Sequence, residues 1–163
     1  MQIEQARPEE ADTVAAVLNE AAQWIADEGR PLWSAADIAP ERIRRDTDAG
    51  GYFIARSNGE TAGVVRLDLD DPGFWPEMET GTSLYVHKLA VSRAWAGRGV
   101  SVRLLEFARE RTAGLGRPFL RLDCVADRVP LRSLYERFGF SLHSVIHKGE
   151  RAFARYELRV PCA

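Results

Sequence analysis

The stretch Tyr85-Val-His-Lys-Leu-Ala-Val-Ser-Arg-Ala-Trp-Ala-Gly-Arg-Gly-Val-Ser-Val-Arg-Leu-Leu105 holds the residue types best suited to grip an anion. It reads as a β-prone run, a short loop with Gly97 and Gly99, and a helix start at Val100. Backbone N–H groups from Arg98 to Val102 are expected to point outward along the helix axis, where the positive end of the dipole favours negative charge. Gly97 and Gly99 let the backbone come close to a bound group. Arg98 adds a full charge at the same place. Ala96 to Ser101 therefore suit a phosphate, although an ordinary strand-to-helix turn explains the spacing equally well.

The elements that must position this loop are legible on either side. Gln2 to Arg7 alternates like an edge strand, and Pro8-Glu9-Glu10 opens a helix with proline and acids in its first turn. Val14, Val17, Leu18, Ala21, Trp24 and Ile25 recur at helical spacing and predict one apolar stripe. Pro40-Glu41 starts a short second helix that stops before Gly50-Gly51. Tyr52 to Arg56 and Thr61 to Leu69 read as strands joined at Asn58-Gly59, a strong hairpin signal. Asp70 to Gly81 is an irregular connection before a strand at Ser83 to Val91. Val100 to Arg111 is a helix, Phe119 to Val125 a strand, and Leu131 to Phe138 a helix closed by Gly139. Phe140 to His147 and Ala152 to Val160 form a last hairpin around Lys148-Gly149. A strand, a full helix and a strand between 83 and 125 imply a parallel pair, and the flanking hairpins imply antiparallel ones. The fold class is α/β (α+β), a mixed sheet with helices on both faces.

Composition narrows the function. The 163 residues carry 45 % hydrophobic and 28 % charged side chains, with a formal net charge of −2. One domain spanning 1–163 is expected, able to bury about 70 % of its unfolded surface. The pI near 6.0 argues against nucleic-acid binding through bulk positive charge. No leader-like start and no long apolar run is found, so no membrane association is expected. Cys124 and Cys162 are too few for a disulfide framework, and no Cys/His spacing suggests a metal site. A cytoplasmic location is the simplest expectation.

The 96–101 segment resembles the acetyl-CoA signature of the GNAT superfamily (Gcn5-related N-acetyltransferases), Gln/Arg-x-x-Gly-x-Gly/Ala. Ala96 stands at the Gln/Arg position, Gly99 at the central glycine and Ser101 at the final Gly/Ala. One of the three defining positions is kept. Leu120-Arg-Leu-Asp-Cys-Val-Ala-Asp127, followed by Leu131-Arg-Ser-Leu-Tyr-Glu-Arg-Phe-Gly-Phe140, resembles the family's fifth strand and next helix. The motifs cover about 80 to 160, and the element order covers the chain.

The resemblance implies a sheet of about seven strands flanked by about four helices, with the fourth and fifth strands splayed. It implies acetyl-CoA as co-substrate, with the pyrophosphate on Ala96, Gly97, Arg98, Gly99, Val100 and Ser101. The pantetheine arm would pair with Leu89, Ala90 and Val91, where a backbone N–H polarises the thioester carbonyl. Tyr135 matches the tyrosine that protonates the departing thiolate. Arg128 stands where the family often has an asparagine contacting pantetheine, and it reads equally as a phosphate contact or a solvated side chain. His87 leads the candidates for general base, beside Glu77, Glu79 and Asp123, and it reads equally as a structural histidine. Cys124 reads as an inert buried thiol, since direct transfer needs no nucleophile.

The resemblance also implies that variable loops choose the acceptor. Here these are Arg30-Pro-Leu-Trp-Ser34 and Asp68 to Glu79. Trp33, Trp75, Glu77 and Glu79 offer aromatic faces and carboxylates suited to a cationic amine. The bland reading is an acidic solvated loop with its aromatics tucked into the core. The leading expectation is an acetyl-CoA-dependent N-acetyltransferase acting on a small-molecule primary amine, as a monomer or homodimer. The alternatives are acetylation of a protein N-terminus or lysine, and a non-catalytic CoA-binding module. A dinucleotide-binding fold fares poorly, because no GxGxxG follows the first strand.

Overall fold

Proline and acids at the first turn, a period of 3.6, and glycines at the breaks place helices where the sequence predicts them. The computed structural model describes residues 1–29 and 31–162. Among these, strands β1 (Gln2–Gln5), β2 (Tyr52–Ser57), β3 (Glu60–Asp68), β4 (Ser83–Val91), β5 (Phe119–Val125), β6 (Ser141–Lys148) and β7 (Arg151–Arg159) alternate with helices α1 (Ala11–Asp27), α2 (Pro40–Asp48), α3 (Val100–Gly114) and α4 (Val129–Phe138). The strand order is β1-β2-β3-β4-β5-β7-β6. Strand β4 pairs parallel with β5 from Ser83↔Phe119 to Val86↔Leu122, while β1–β2, β2–β3, β5–β7 and β6–β7 are antiparallel. This is the mixed α/β sheet expected from the crossover helix and the hairpins. The chain divides into two compact units, Met1–Leu67 with His87–Phe107, and Asp68–Val86 with Ala108–Ala163.

In the first unit, the apolar stripe of α1 (Val14, Val17, Leu18, Ala21) packs with Ile43 of α2, Tyr52 and Ile54 of β2, Val64 of β3 and Ala90 of β4. The alternate residue Phe53 meets Phe107 of α3 at 5.1 Å between ring centroids, so β2 is covered on both faces. Asn58 and Gly59 both adopt positive φ, as a type I′ hairpin requires. The stripe of α1 ends earlier than expected. Trp24 is exposed, and the Arg93 guanidinium lies 3.9 Å from its ring centroid. Stacking on an arginine, rather than core burial, covers this indole.

In the second unit, β5 is buried on both faces, with Leu120, Leu122 and Cys124 on one and Arg121 on the other. Arg121 is a charged side chain in a buried setting, and it is fully engaged. It donates to Glu157 at 2.9 Å and to the Ser83 hydroxyl, and its guanidinium lies 4.4 Å from the Phe119 ring centroid.

Candidate functional site

The loop at Ala96 to Ser101 lies wholly within the first unit. Ser92 anchors the end of β4, its N–H donating to Ala62 O at 2.9 Å and its hydroxyl to Thr61 O at 3.0 Å. A 3-10 turn follows at Arg93–Trp95, and the Arg93 N–H donates to Glu20 Oε1 at 2.8 Å. Gly97 and Gly99 take φ of +74° and +77°, a conformation that disfavours other residues. A Cβ at either position would meet nothing within 4 Å, so the face above the loop is open. The Arg98 N–H does not point outward with the others, as the sequence predicts. It is consumed within the turn, donating to Trp95 O at 3.3 Å. The first bond of the α3 ladder runs from Arg103 N–H to Gly99 O. The donors left to an anion are thus the first-turn amides from Gly99 to Val102. The exposed Arg98 stacks over Trp95 at 5.1 Å, beside that turn.

Leu89, Ala90 and Val91 form the end of β4 in the same unit. Lys88, just before them, has φ of +48° inside the strand. A left-handed lysine in mid-strand costs on the order of 1–3 kcal/mol, and such strain clusters at functional sites. It interrupts the regular extended backbone between His87 and Leu89. His87 itself is half-buried. The Lys88 ammonium lies 5.6 Å from the Trp33 ring centroid. Trp33 packs against the core of the first unit, so the aromatic face expected for a cationic acceptor already faces a cation of the chain. Burial pushes the neighbouring Asp37 carboxyl up, but hydrogen bonds from Ser34 and the charges of Lys88 and Arg42 outweigh it and hold it below its ordinary value. Arg30, the first residue of that loop, lies outside the described residues.

Tyr135 belongs to the second unit, on α4. The ending Tyr-Glu-x-x-Gly-Phe has a local cause. Gly139, at φ of +122°, and Phe140 both donate their N–H groups to Tyr135 O, at 3.2 and 3.0 Å. The Phe140 ring then packs edge-on against Tyr135 at 6.0 Å. Tyr135 is 6 % exposed. Burial drives its phenol well above the ordinary value, and Cys124 and Asp123 add to the effect. The phenol is therefore fully protonated at neutral pH, the form a proton donor needs. Burial likewise pushes the Cys124 thiol up to about 11, with Asp123 adding to it, which leaves it inert as a nucleophile. Arg128 is the N-cap residue of α4 and is half-buried.

The loop from Asp70 to Gly81 also lies in the second unit, and it is tied down. Trp75 is 2 % exposed. Its ring faces the guanidiniums of Arg155 at 4.5 Å and Arg121 at 5.4 Å, with His143 at 5.3 Å. The indole is thus core packing, where the sequence left an open acceptor face as one reading. Arg155 donates to Phe74 O at 3.0 Å and to Ser144 Oγ at 2.8 Å, and pairs with Glu77. Burial raises the Glu77 carboxyl, but its own backbone N–H, Arg155 and His143 outweigh this and hold it low. Glu79 is exposed. Nothing in the sequence marked Arg155 as the partner of Trp75 and Glu77, because it lies 78 residues beyond Glu77 in the chain.

Comparison with known proteins bears on the family and the fold. Residues 18–140 match the acetyltransferase (GNAT) family. The chain is 33 % identical over 156 residues to the uncharacterized N-acetyltransferase YesJ of Bacillus subtilis (strain 168), covering 90 % of this chain and 85 % of YesJ. A GNAT-family acetyltransferase structure from Listeria monocytogenes 4b F2365 superposes with a TM-score of 0.82 at 22 % identity, covering 98 % of this chain and 94 % of that one. A structure of yncA from Salmonella typhimurium with its cofactor acetyl-CoA gives a TM-score of 0.75 at 13 % identity, covering 99 % and 94 %. With a family match over residues 18–140 and a relative 33 % identical across 90 % of its length, this chain belongs to the GNAT family of acetyltransferases.

Proposed function

We propose that this N-acetyltransferase moves the acetyl group of acetyl-CoA to a primary amine of a small molecule, by direct attack within a ternary complex. The observation that carries the reading is the first turn of α3. Its amides, with the two left-handed glycines and Arg98, present several donors and one charge to an open face. That chemistry suits the pyrophosphate of CoA, and the residues fit the group. Leu89 to Val91 would pair with the pantetheine arm and offer an N–H to the thioester oxygen. CoA supplies the thioester, whose thiolate is the leaving group.

The amine nitrogen forms the new C–N bond to the acetyl carbon as the C–S bond breaks. The sulfur takes the phenolic proton of Tyr135, and the nitrogen gives up a proton to a base. His87 is our candidate for that base. Tyr135 regains its proton from solvent when CoA leaves. The acceptor's charge is selected less by the 68–79 loop than its composition suggests, since Glu77 is already paired with Arg155. Glu79 is an exposed acid of that segment, just ahead of the cofactor strand in the chain. Among the described residues no helix is long and apolar enough to cross a membrane, and both cysteines are free thiols, which suits a reducing compartment.

The test is thiol release from acetyl-CoA against a panel of small amines, amino acids, polyamines, and peptides with free N-termini or lysines. Turnover with a small amine and not with the peptides supports the reading. Turnover with peptides alone overturns the acceptor class, and CoA binding without any release overturns catalysis.

A further inference from the structure

Tyr156 of β7 is fully buried, at 0 % exposure, yet it carries a hydroxyl where phenylalanine would fill nearly the same space. That hydroxyl sits between two side chains of one helix. Arg132 Nε donates to it at 2.8 Å, and it donates to Glu136 Oε1 at 2.7 Å. A guanidinium only donates and a carboxylate only accepts, so the proton direction along this chain is set. Arg132 and Glu136 are four residues apart and share one face of α4. Tyr135 lies between them in sequence. The second arm of Arg132, Nη1, donates to Ala126 O at 3.0 Å, in the loop that leaves β5. The Tyr156 ring itself packs 6.1 Å from the Tyr135 ring, at an interplanar angle of 53°.

We propose that Tyr156 is a positioning residue: clasped between Arg132 and Glu136, it holds α4 to β7 and thereby aims the Tyr135 hydroxyl. This rests on Tyr135 being the proton donor. The apolar surfaces beneath a helix allow it to slide or roll at little cost, because burial is non-directional. Two hydrogen bonds converging on one buried oxygen remove that freedom, since both have narrow distance and angle limits. The residues of the clasp flank Tyr135 on the helix, so a roll that breaks the clasp moves the phenol. A displacement near 1 Å can cost about 100-fold in rate when it misaligns a reacting group.

The experiment compares Tyr156→Phe, Glu136→Gln, Glu136→Ala and Tyr135→Phe. Two readouts are taken: thiol release from acetyl-CoA with the fastest amine of the panel, and the ¹³Cζ-tyrosine NMR spectrum of the full chain. Tyr156→Phe keeps the ring and loses both hydrogen bonds. We expect its kcat to fall about 10-fold with the acetyl-CoA KM nearly unchanged, and the Tyr135 resonance to shift and broaden. Glu136→Gln keeps an acceptor oxygen and should lose less rate than Glu136→Ala. In a Tyr135→Phe background, Tyr156→Phe should cost no further rate, because the group it aims is gone. An unmoved Tyr135 resonance, or equal rate losses in both backgrounds, overturns the positioning role. Full turnover by Tyr135→Phe overturns the donor reading beneath it, whereas a slow Tyr135→Phe beside a full-rate Tyr156→Phe overturns the positioning role alone. If Tyr156→Phe does not fold, the Glu136 pair decides by the same resonance.

Discussion

Gly63 and Ala90 approach so closely that a Cβ on Gly63 would stand 2.7 Å from the Ala90 carbonyl oxygen. The same Cβ would meet Val100 Cγ1 at 3.0 Å and Leu104 Cδ1 at 3.3 Å. The glycine thus lets β3, the end of β4 and the start of α3 close together, the elements that carry the anion loop. Gly63→Ala must push backbone, not the tip of a flexible side chain. We expect a loss of about 1–3 kcal/mol, typical of overpacking, read by urea denaturation. CoA affinity should fall with it, read by calorimetry, because Ala90 and Val100 move.

Gly99→Asp tests the cradle directly. A Cβ there meets no atom within 4 Å, but φ of +77° strains any side chain, and the new negative charge opposes an anion. CoA affinity should fall on the order of 10-fold or more, and Gly99→Ala should fall less, because it carries the backbone penalty without the charge. Unchanged affinity in a folded Gly99→Asp protein would remove the pyrophosphate from this turn.

Tyr135→Phe keeps the edge-on packing with Phe140 and removes only the proton. We expect kcat to fall on the order of 10-fold or more while the CoA dissociation constant barely moves. Normal turnover would return Tyr135 to a structural part.

The tie between Arg155 and Glu77 gives a pH signature. Glu77 has a lowered carboxyl in the fold, so its contribution is present above the unfolded value of about 4.3 and is lost as pH falls through the lower folded value. Glu77→Gln should therefore be less stable than the parent at pH 7, and the gap should close as the pH falls well below 4. The carboxylate is 48 % exposed, so the gap is small and shrinks in salt. Thermal melts at several pH values read it, and a gap that persists at low pH would show another cause.

Arg155→Met should act more strongly. It frees Phe74 O and Ser144 Oγ as well as Glu77, and uncovers the Trp75 ring. Tryptophan emission should shift to the red and the melting temperature should drop. An unshifted spectrum would show that Tyr85, His143 and Arg121 keep Trp75 dry without Arg155.

Periodicity and local stereochemistry are legible in the amino-acid sequence by itself. The helix starts at Pro8 and Pro40, the Asn58-Gly59 turn, the glycines at 97 and 99 and the Gly139 cap are written in a few adjacent residues each. Their backbone needs are local, so the residue type alone declares them. The loop at 96–101 is legible for that reason, whereas Tyr135 is singled out by the family resemblance. What tertiary structure alone decided depends on partners far away in the chain. Trp75 reads equally as an open acceptor face or as core, and Arg155 and Arg121 over its ring decide for the core. Trp24 reads as core until Arg93 stacks on it outside. Lys88 carries a strand sequence and takes a left-handed conformation that no local rule favours. Tyr156 falls unremarked within the strand read from Ala152 to Val160, and only the fold brings Arg132 and Glu136 to its hydroxyl. A side chain's neighbours across a sheet are set by register and crossover, and those distances in sequence carry no period to read.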